Sequence, residues 1–200
     1  MIETNMNTSN PYDGARRAGT VGFPLPGVEV KVCDPDSGAE LPQGEIGVIE
    51  VRGPNVFQGC WQMPEKTAEE LREDGFFITG DLGVMDDTGR VSIVGRQKDL
   101  IISGGYNIYP KEIEDVINEV DGVVESAVFG VPDADFGEAV VAAVVIRAGS
   151  LDAPTIAAEV ARQLARFKHP RRYEIMDALP RNTMGKVQKN LLRDQFGATD

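Results

Sequence analysis

Histidine occurs once in this 200-residue chain, tryptophan once and cysteine twice, and each scarcity removes a class of function. Cys33 and Cys60 are too few for a disulfide framework, so a reducing compartment, and with it the cytoplasm, is the expected setting. With His169 as the lone imidazole, a zinc cluster has no ligand set. No apolar run approaches membrane-spanning length, and the opening MIETNMNTSN lacks a signal-peptide core. Three glycine signatures are also missing. There is no G-x-G-x-x-G dinucleotide fingerprint and no G-x-S-x-G hydrolase elbow. Nor is there a phosphate-binding G-x-x-x-x-G-K-[ST], since the nearest spacing, Gly14 to Gly19, is followed by Thr20.

Basic charge is short as well. The net charge of −12 argues against general nucleic-acid binding or adhesion to an acidic membrane. That total hides an asymmetry, because residues 162–193 hold nine Arg or Lys against only Glu174 and Asp177. A local basic surface on an acidic protein suits a small polyanion better than a duplex. The remaining composition, 42% hydrophobic and 26% charged, is that of an ordinary globular chain.

Two textures divide the chain. VEVKVCD (28–34) and GEIGVIEVRG (44–53) alternate as strands, with PDSG (35–38) as a turn between them. PEKTAEELRED (64–74) reads as a short helix opened by Pro64 and stopped at Gly75. FFITGD (76–81) is a strand, and LGVMDD with GRVSIVG forms a hairpin across DDTG. Turn chemistry this dense predicts a small β-rich, barrel-like subdomain over residues 1–96. From residue 97 to 200 the pattern becomes α+β. PKEIEDVINEV (110–120) is an amphipathic helix with Ile113, Val116, Ile117 and Val120 on one face. VVESAVFGV (123–131) and AVVAAVVIR (139–147) are strands, the second so continuously apolar that burial on both faces is expected. A helix over 154–166, a strand over 171–176 and a helix over 187–196 complete the unit. The boundary falls near GRQKD (95–99).

Candidate chemistry gathers at three places. Asp81 follows Gly80 at the end of an apolar strand, where a carboxylate serves its own turn or accepts hydrogen bonds from the vicinal hydroxyls of a sugar. Between Arg96 and Glu114, Lys98 and Asp99 crowd the boundary, and SGG (103–105) permits close backbone approach beside Tyr106 and Tyr109. This segment reads equally as a turn before a helix. Lys186 follows Gly185 in PRNTMGKVQKN (180–190); it is either a surface lysine or an ammonium on a mobile loop, able to neutralise charge on a phosphate or acyl oxygen.

Taken together, FFITGD, GRQKDLIISGGYNIYPKEIE and LPRNTMGK, in that order, resemble the C-terminal part of the adenylate-forming acyl-CoA synthetases. The resemblance implies an acyl-adenylate made from a carboxylate and Mg·ATP, then a thioester with CoA after a small C-terminal domain rotates. It implies that Asp81 holds the ribose hydroxyls of ATP, Arg96 assists at ribose or phosphate, and Lys98 is the hinge. Lys186 would meet phosphate and carboxylate oxygens, and Gly104, Gly105 and Tyr106 would line the CoA pantetheine path. The opening MIET would carry Glu3 as the Mg2+-associated glutamate, although Ile2 stands where the family has a phosphate-binding Thr. Likeness over the whole stretch, NMNTSNPYDG (5–14) included, implies malonate as the acid. The family's phosphate loop, acyl pocket and most of its adenine pocket belong to a large N-terminal adenylation domain outside these residues. The chain alone is therefore expected to be inactive. The alternative is a non-catalytic module that binds CoA or a nucleotide, or complements a separate N-terminal polypeptide, with self-association through exposed apolar surface.

Overall fold

The computed structural model describes residues 1–147, 149 and 151–197. The chain divides into unit 1, Met1–Lys98, and unit 2, Asp99–Asp200.

Unit 1 opens irregularly. Its first ten residues contain only the short strand β1 (Thr8–Ser9), paired with β2 (Phe23–Pro24). The main sheet comprises β3 (Glu29–Cys33), β4 (Ile46–Arg52), β5 (Phe77–Met85) and β6 (Val91–Arg96), antiparallel throughout in the order β3-β4-β5-β6. This order makes an open sheet, with no pairing between β3 and β6, so the barrel-like closure expected from the turn density is not what is seen. Helix α1 (Pro64–Glu70) lies between β4 and β5. It stops four residues short of the expected end because Leu71 turns extended and bridges to Phe77. Ile49, Val51, Val56, Phe77 and Val91 form the unit's core.

Unit 2 is built around one strand. β7 (Ile101–Ser103) and β8 (Tyr106–Ile108) form a hairpin, followed by α2 (Pro110–Asn118), β9 (Val123–Asp133), β10 (Gly137–Ile146), α3 (Ala153–Gln163), β11 (Arg172–Met176) and α4 (Lys189–Gly197). β10 pairs antiparallel with β9 and β7 and parallel with β11. Its alternate side chains enter different cores, as the two-residue period of a strand requires. Val140, Ala142 and Val144 join Ile113 and Ile117 of α2 and Ile156 and Val160 of α3. Ala139, Val141, Ala143 and Val145 join Phe129, Leu179 and Leu192 of α4. Each fully buried Ile or Leu here contributes about 1.5–3 kcal/mol relative to exposure. The continuous apolar run is thus accounted for by burial on both faces of β10.

The Gly104–Gly105 pair is a two-residue hairpin turn. Both residues have positive φ, 57° and 81°, which a β-carbon disfavours and which suits the twist of a tight hairpin.

Candidate functional site

Within unit 1, the strand register sets Asp81 of β5 directly opposite Arg96 of β6. Arg96 Nε lies 2.7 Å from Asp81 Oδ1, so these two sequence candidates form an ion pair. Thr79, buried two residues earlier, fixes the backbone that carries the carboxylate. Its hydroxyl donates to the Ile49 carbonyl at 2.7 Å and accepts from the Asp81 N–H at 3.1 Å. Asp81 also lines a groove of about 380 Å³ whose other walls include Met6, Val21, Ile49, Val91 and Ile93.

Glu3 sits on the N-terminal segment, whose backbone is pinned by the Phe57 N–H donating to the Glu3 carbonyl at 2.8 Å. Asn55 Nδ2 donates to the Thr4 carbonyl at 2.6 Å and to Asn7 Oδ1 at 3.0 Å. Ile2 beside it is 91% exposed. Glu3 is not among the residues lining the groove, and no group of three or more His, Cys, Asp or Glu among the described residues is arranged as a metal cage. A Mg2+ ion at Glu3 would rest on one carboxylate plus substrate phosphates, which is an ordinary donor set for that ion. Lys98 lies in a one-turn 3₁₀ segment, Gln97–Asp99, where the two units meet in the chain.

In unit 2 the Gly104–Gly105 turn and Tyr106 border a second groove, of about 690 Å³. Phe136 and Phe167, which sequence reading did not single out, line it together with Arg166, His169 and Arg171 of the basic stretch. Tyr106 stacks on Phe167 at 4.6 Å with the rings 22° apart. Arg171 lies 4.1 Å over the ring of Phe136, and His169 forms part of the wall with its Nε2 2.9 Å from the Leu164 carbonyl. Tyr106 opens β8, Phe136 lies in the turn between β9 and β10, and Phe167, His169 and Arg171 share the stretch after α3, so only the fold brings the three segments together. Glu138 supports the glycine turn from beneath, its carboxylate accepting from the Ile102 N–H at 2.7 Å. That contact requires Gly130, where a β-carbon would lie 2.4 Å from the Glu138 carboxylate.

Much of the basic surface is already engaged. Lys168 pairs with Glu112 at 2.6 Å and Arg171 with Asp133 at 3.0 Å, while Arg172 donates to the Phe196 carbonyl at 2.7 Å. Among the described residues, Arg166 has no such partner, and it lines the groove. Tyr109 precedes α2, and its hydroxyl is pushed up by burial and then by nearby Glu112. Lys186 is exposed and does not line this groove. Residues 182–186 form a hydrogen-bonded turn in which the Asn182 N–H donates to the Lys186 carbonyl at 2.9 Å.

This combination of an open sheet unit and a two-sided α+β unit is that of the AMP-binding enzymes, to which the chain belongs as a C-terminal part. Residues 1–61 match the AMP-binding enzyme family and 112–186 the AMP-binding enzyme C-terminal domain. Its structure is similar to ATP-bound MatB from Rhodopseudomonas palustris, 60% identical with a TM-score of 0.93, over 98% of this chain and 39% of that one. It is 43% identical to a putative acyl–CoA ligase, YdaB, of Bacillus subtilis, over 95% of this chain and 38% of the relative. A long-chain-fatty-acid–CoA ligase of Escherichia coli is 42% identical over 93% of this chain and 33% of its own length. The chain thus spans between a third and two fifths of the proteins it matches. Among the described residues no helix is long and apolar enough to cross a membrane.

Proposed function

We propose that these residues are the C-terminal part of an ATP-dependent acid–CoA ligase of the malonyl-CoA synthetase type. In the first half-reaction a malonate oxygen attacks the α-phosphorus of ATP and pyrophosphate leaves. In the second, the CoA sulfur attacks the acyl carbon and AMP leaves. The observation that carries this reading is the 60% identity to ATP-bound MatB over 98% of the chain.

On this reading Asp81 accepts hydrogen bonds from the ribose hydroxyls, and Arg96 keeps the carboxylate oriented and reaches ribose or phosphate. Lys186 neutralises the oxygens between carboxylate and α-phosphate, a charge-assisted contact. Lys98 is the hinge between the half-reactions. Gly104, Gly105 and Tyr106 border the pantetheine path, with Arg166 free to meet a CoA phosphate. Glu3 would hold Mg2+, which supplies charge neutralisation at the phosphates. Ile2 offers no hydroxyl for the same task.

The 200 residues alone do not turn over, because an acid pocket and a phosphate loop must come from a large adenylation domain. Ile2, Tyr12 and Trp61, 91%, 89% and 85% exposed, favour association of unit 1 with such a domain or with a second copy. Carboxylate-dependent ATP–pyrophosphate exchange is the test. The chain alone should show none with malonate, acetate or a medium-chain fatty acid. Joined to the remainder of the R. palustris MatB chain it should exchange with malonate, and Asp81→Ala or Lys186→Ala should lower the rate by about 100-fold. Malonate-dependent exchange by the unjoined chain would overturn its dependence on that domain. Exchange in the joined enzyme that is indifferent to Asp81 and Lys186 would overturn their roles.

A further inference from the structure

The molecule uses one turn twice. In unit 1, Asp86 Oδ1 accepts from the backbone N–H groups of Thr88 and Arg90, both at 2.9 Å. The Asp86 N–H donates to the Arg90 carbonyl, and the Gly89 N–H to the Asp86 carbonyl, each at 2.9 Å. In unit 2, Asn182 Oδ1 accepts from the N–H groups of Met184 at 3.0 Å and Lys186 at 2.9 Å. The Asn182 N–H donates to the Lys186 carbonyl, and the Gly185 N–H to the Asn182 carbonyl, again at 2.9 Å. The glycines match too, with φ of 80° at Gly89 and 78° at Gly185. Both are five-residue loops ending in a basic residue whose amide is held by the first side chain.

The two turns differ in the charge of that first side chain. Asp86 is a carboxylate; hydrogen bonds from the Thr88 hydroxyl and the Arg90 N–H hold it below the usual carboxylate range, and Arg17 lies 3.7 Å away. Asn182 offers the same acceptor atom without a negative charge. Its turn is tied down further by Arg181, which donates to the Gly185 carbonyl at 2.6 Å and forms an ion pair with Glu125 of β9. A neutral acceptor fixes the backbone at Lys186 and leaves the ammonium unneutralised from the turn itself.

We infer that Asn182 is a positioning residue for Lys186. It settles the backbone of the lysine before substrate arrives, so that only side-chain torsions remain to be ordered when the ammonium meets an anion. The inference rests on the role proposed for Lys186, but the geometry can be tested without it. A turn that served only to close the chain between Arg181 and Val187 would affect both half-reactions or neither. A positioning turn affects the step in which Lys186 acts.

The experiment has two arms. In the 200-residue chain, amide hydrogen exchange is followed at Met184 and Lys186 for the native sequence, Asn182→Ala and Asn182→Asp. Asn182→Ala should speed exchange at Lys186 by about tenfold or more while β9 and β10 amides stay unchanged. Asn182→Asp should restore protection, as Asp86 does in unit 1. In the joined enzyme, Asn182→Ala should lower kcat of malonate-dependent ATP–pyrophosphate exchange by about 10- to 100-fold at nearly constant KM for ATP. Thioester formation from supplied malonyl-adenylate and CoA should be unaffected. Native-like protection of the Lys186 amide in Asn182→Ala overturns the inference, whatever Lys186 does. So does full adenylation in Asn182→Ala where Lys186→Ala abolishes it, or equal loss of both half-reactions. Full adenylation in Lys186→Ala would instead sink the role of the lysine and leave the turn geometry standing.

Discussion

At the centre of unit 1, on β4, lies Glu50, with no solvent exposure, bound by Arg72 at 2.6 and 2.8 Å and approached by Lys31 at 3.3 Å. At the same depth in unit 2, β10 presents Ala142, Ala143 and Val144 to two apolar clusters. The sheets therefore fail in different ways. An apolar layer loses stability in proportion to the hydrocarbon removed, and the remaining groups adjust. A buried ion cluster loses more than its net worth when one member goes, because the others are left without compensation. Unit 1 buries both faces of β4, but with an apolar cluster on the Ile49 and Val51 side and Glu50 buried on the other, whereas β10 has an apolar cluster on each face.

The largest effect that would test this contrast is in unit 2. Leu192, fully buried on α4, packs against β9 and β10, and Leu192→Ala should cost about 2–5 kcal/mol through lost transfer energy and a residual cavity. Hydrogen exchange of β9 and β10 amides reads that loss directly. Amides of β4 and β5 should keep their native protection. A parallel loss there would show that the units do not unfold separately.

Glu50→Ala should come second, at about 1–3 kcal/mol in unit 1. It falls below a fully buried pair because the Arg72 and Lys31 side chains are 36% and 16% exposed and can rehydrate. Cys33 provides the reporter. It is fully buried, and burial followed by the charge of Glu50 pushes its thiol up, so it reacts only when unit 1 opens. With the partly exposed Cys60 replaced by Ser, the labelling rate of Cys33 should rise in Glu50→Ala. Unchanged labelling would mean that the ion cluster does not hold the sheet together.

Legibility in the sequence follows the same division. Apolar periodicity identified α2, β9 and β10 within a few residues, since Ile113, Ile117 and the Val–Ala run are buried for the reason their spacing suggests. The sequence was less informative where hydrogen bonds decide. The helix expected over 64–74 ends at Glu70 because Leu71 joins a bridge that no propensity reveals. The hairpin β7–β8 was hidden by strands of three residues, although the adjacent glycines were a usable signal. Asp81 and Arg96 stood out singly, but their pairing is a matter of strand register. Asn182 looked like any loop asparagine. Its meaning lies in two amide contacts, and Asp86 four residues before Arg90 was a precedent in the chain that could have disclosed it.

The smallest effects concern pH, where the units again part company. On the alkaline side, burial pushes Tyr173 in unit 2 up to about 12. A raised folded value means its contribution is complete below the ordinary tyrosine range near 10 and is lost as pH rises through 12. The side chain is only about half-buried, so this is worth on the order of 1 kcal/mol, and Tyr173→Phe should flatten the decline. Cys33 gives unit 1 the same sign of dependence above the thiol range.

On the acid side the groups are exposed or half-buried carboxyls held low. In unit 1 these are Glu29, by Arg52; Asp34, by the Ser37 N–H; Asp86, by the Thr88 hydroxyl; and Asp74, where partial burial is outweighed by the Phe76 N–H and Lys31. In unit 2 they are Asp152, by the Thr155 hydroxyl at the start of α3, and Glu159, by Arg162. Depressed folded values stabilise above the ordinary carboxylate range and lose that contribution as pH falls through the depressed values. Below about pH 4, unit 1 should therefore weaken more than unit 2. Hydrogen exchange at pH 3 and pH 6, corrected for intrinsic rates, should show β4 and β5 amides losing more protection than those of β9 and β10. The reverse order would mean that the carboxylate turns and pairs of unit 1 are ornaments on its sheet, and that its apolar core, small as it is, does the holding.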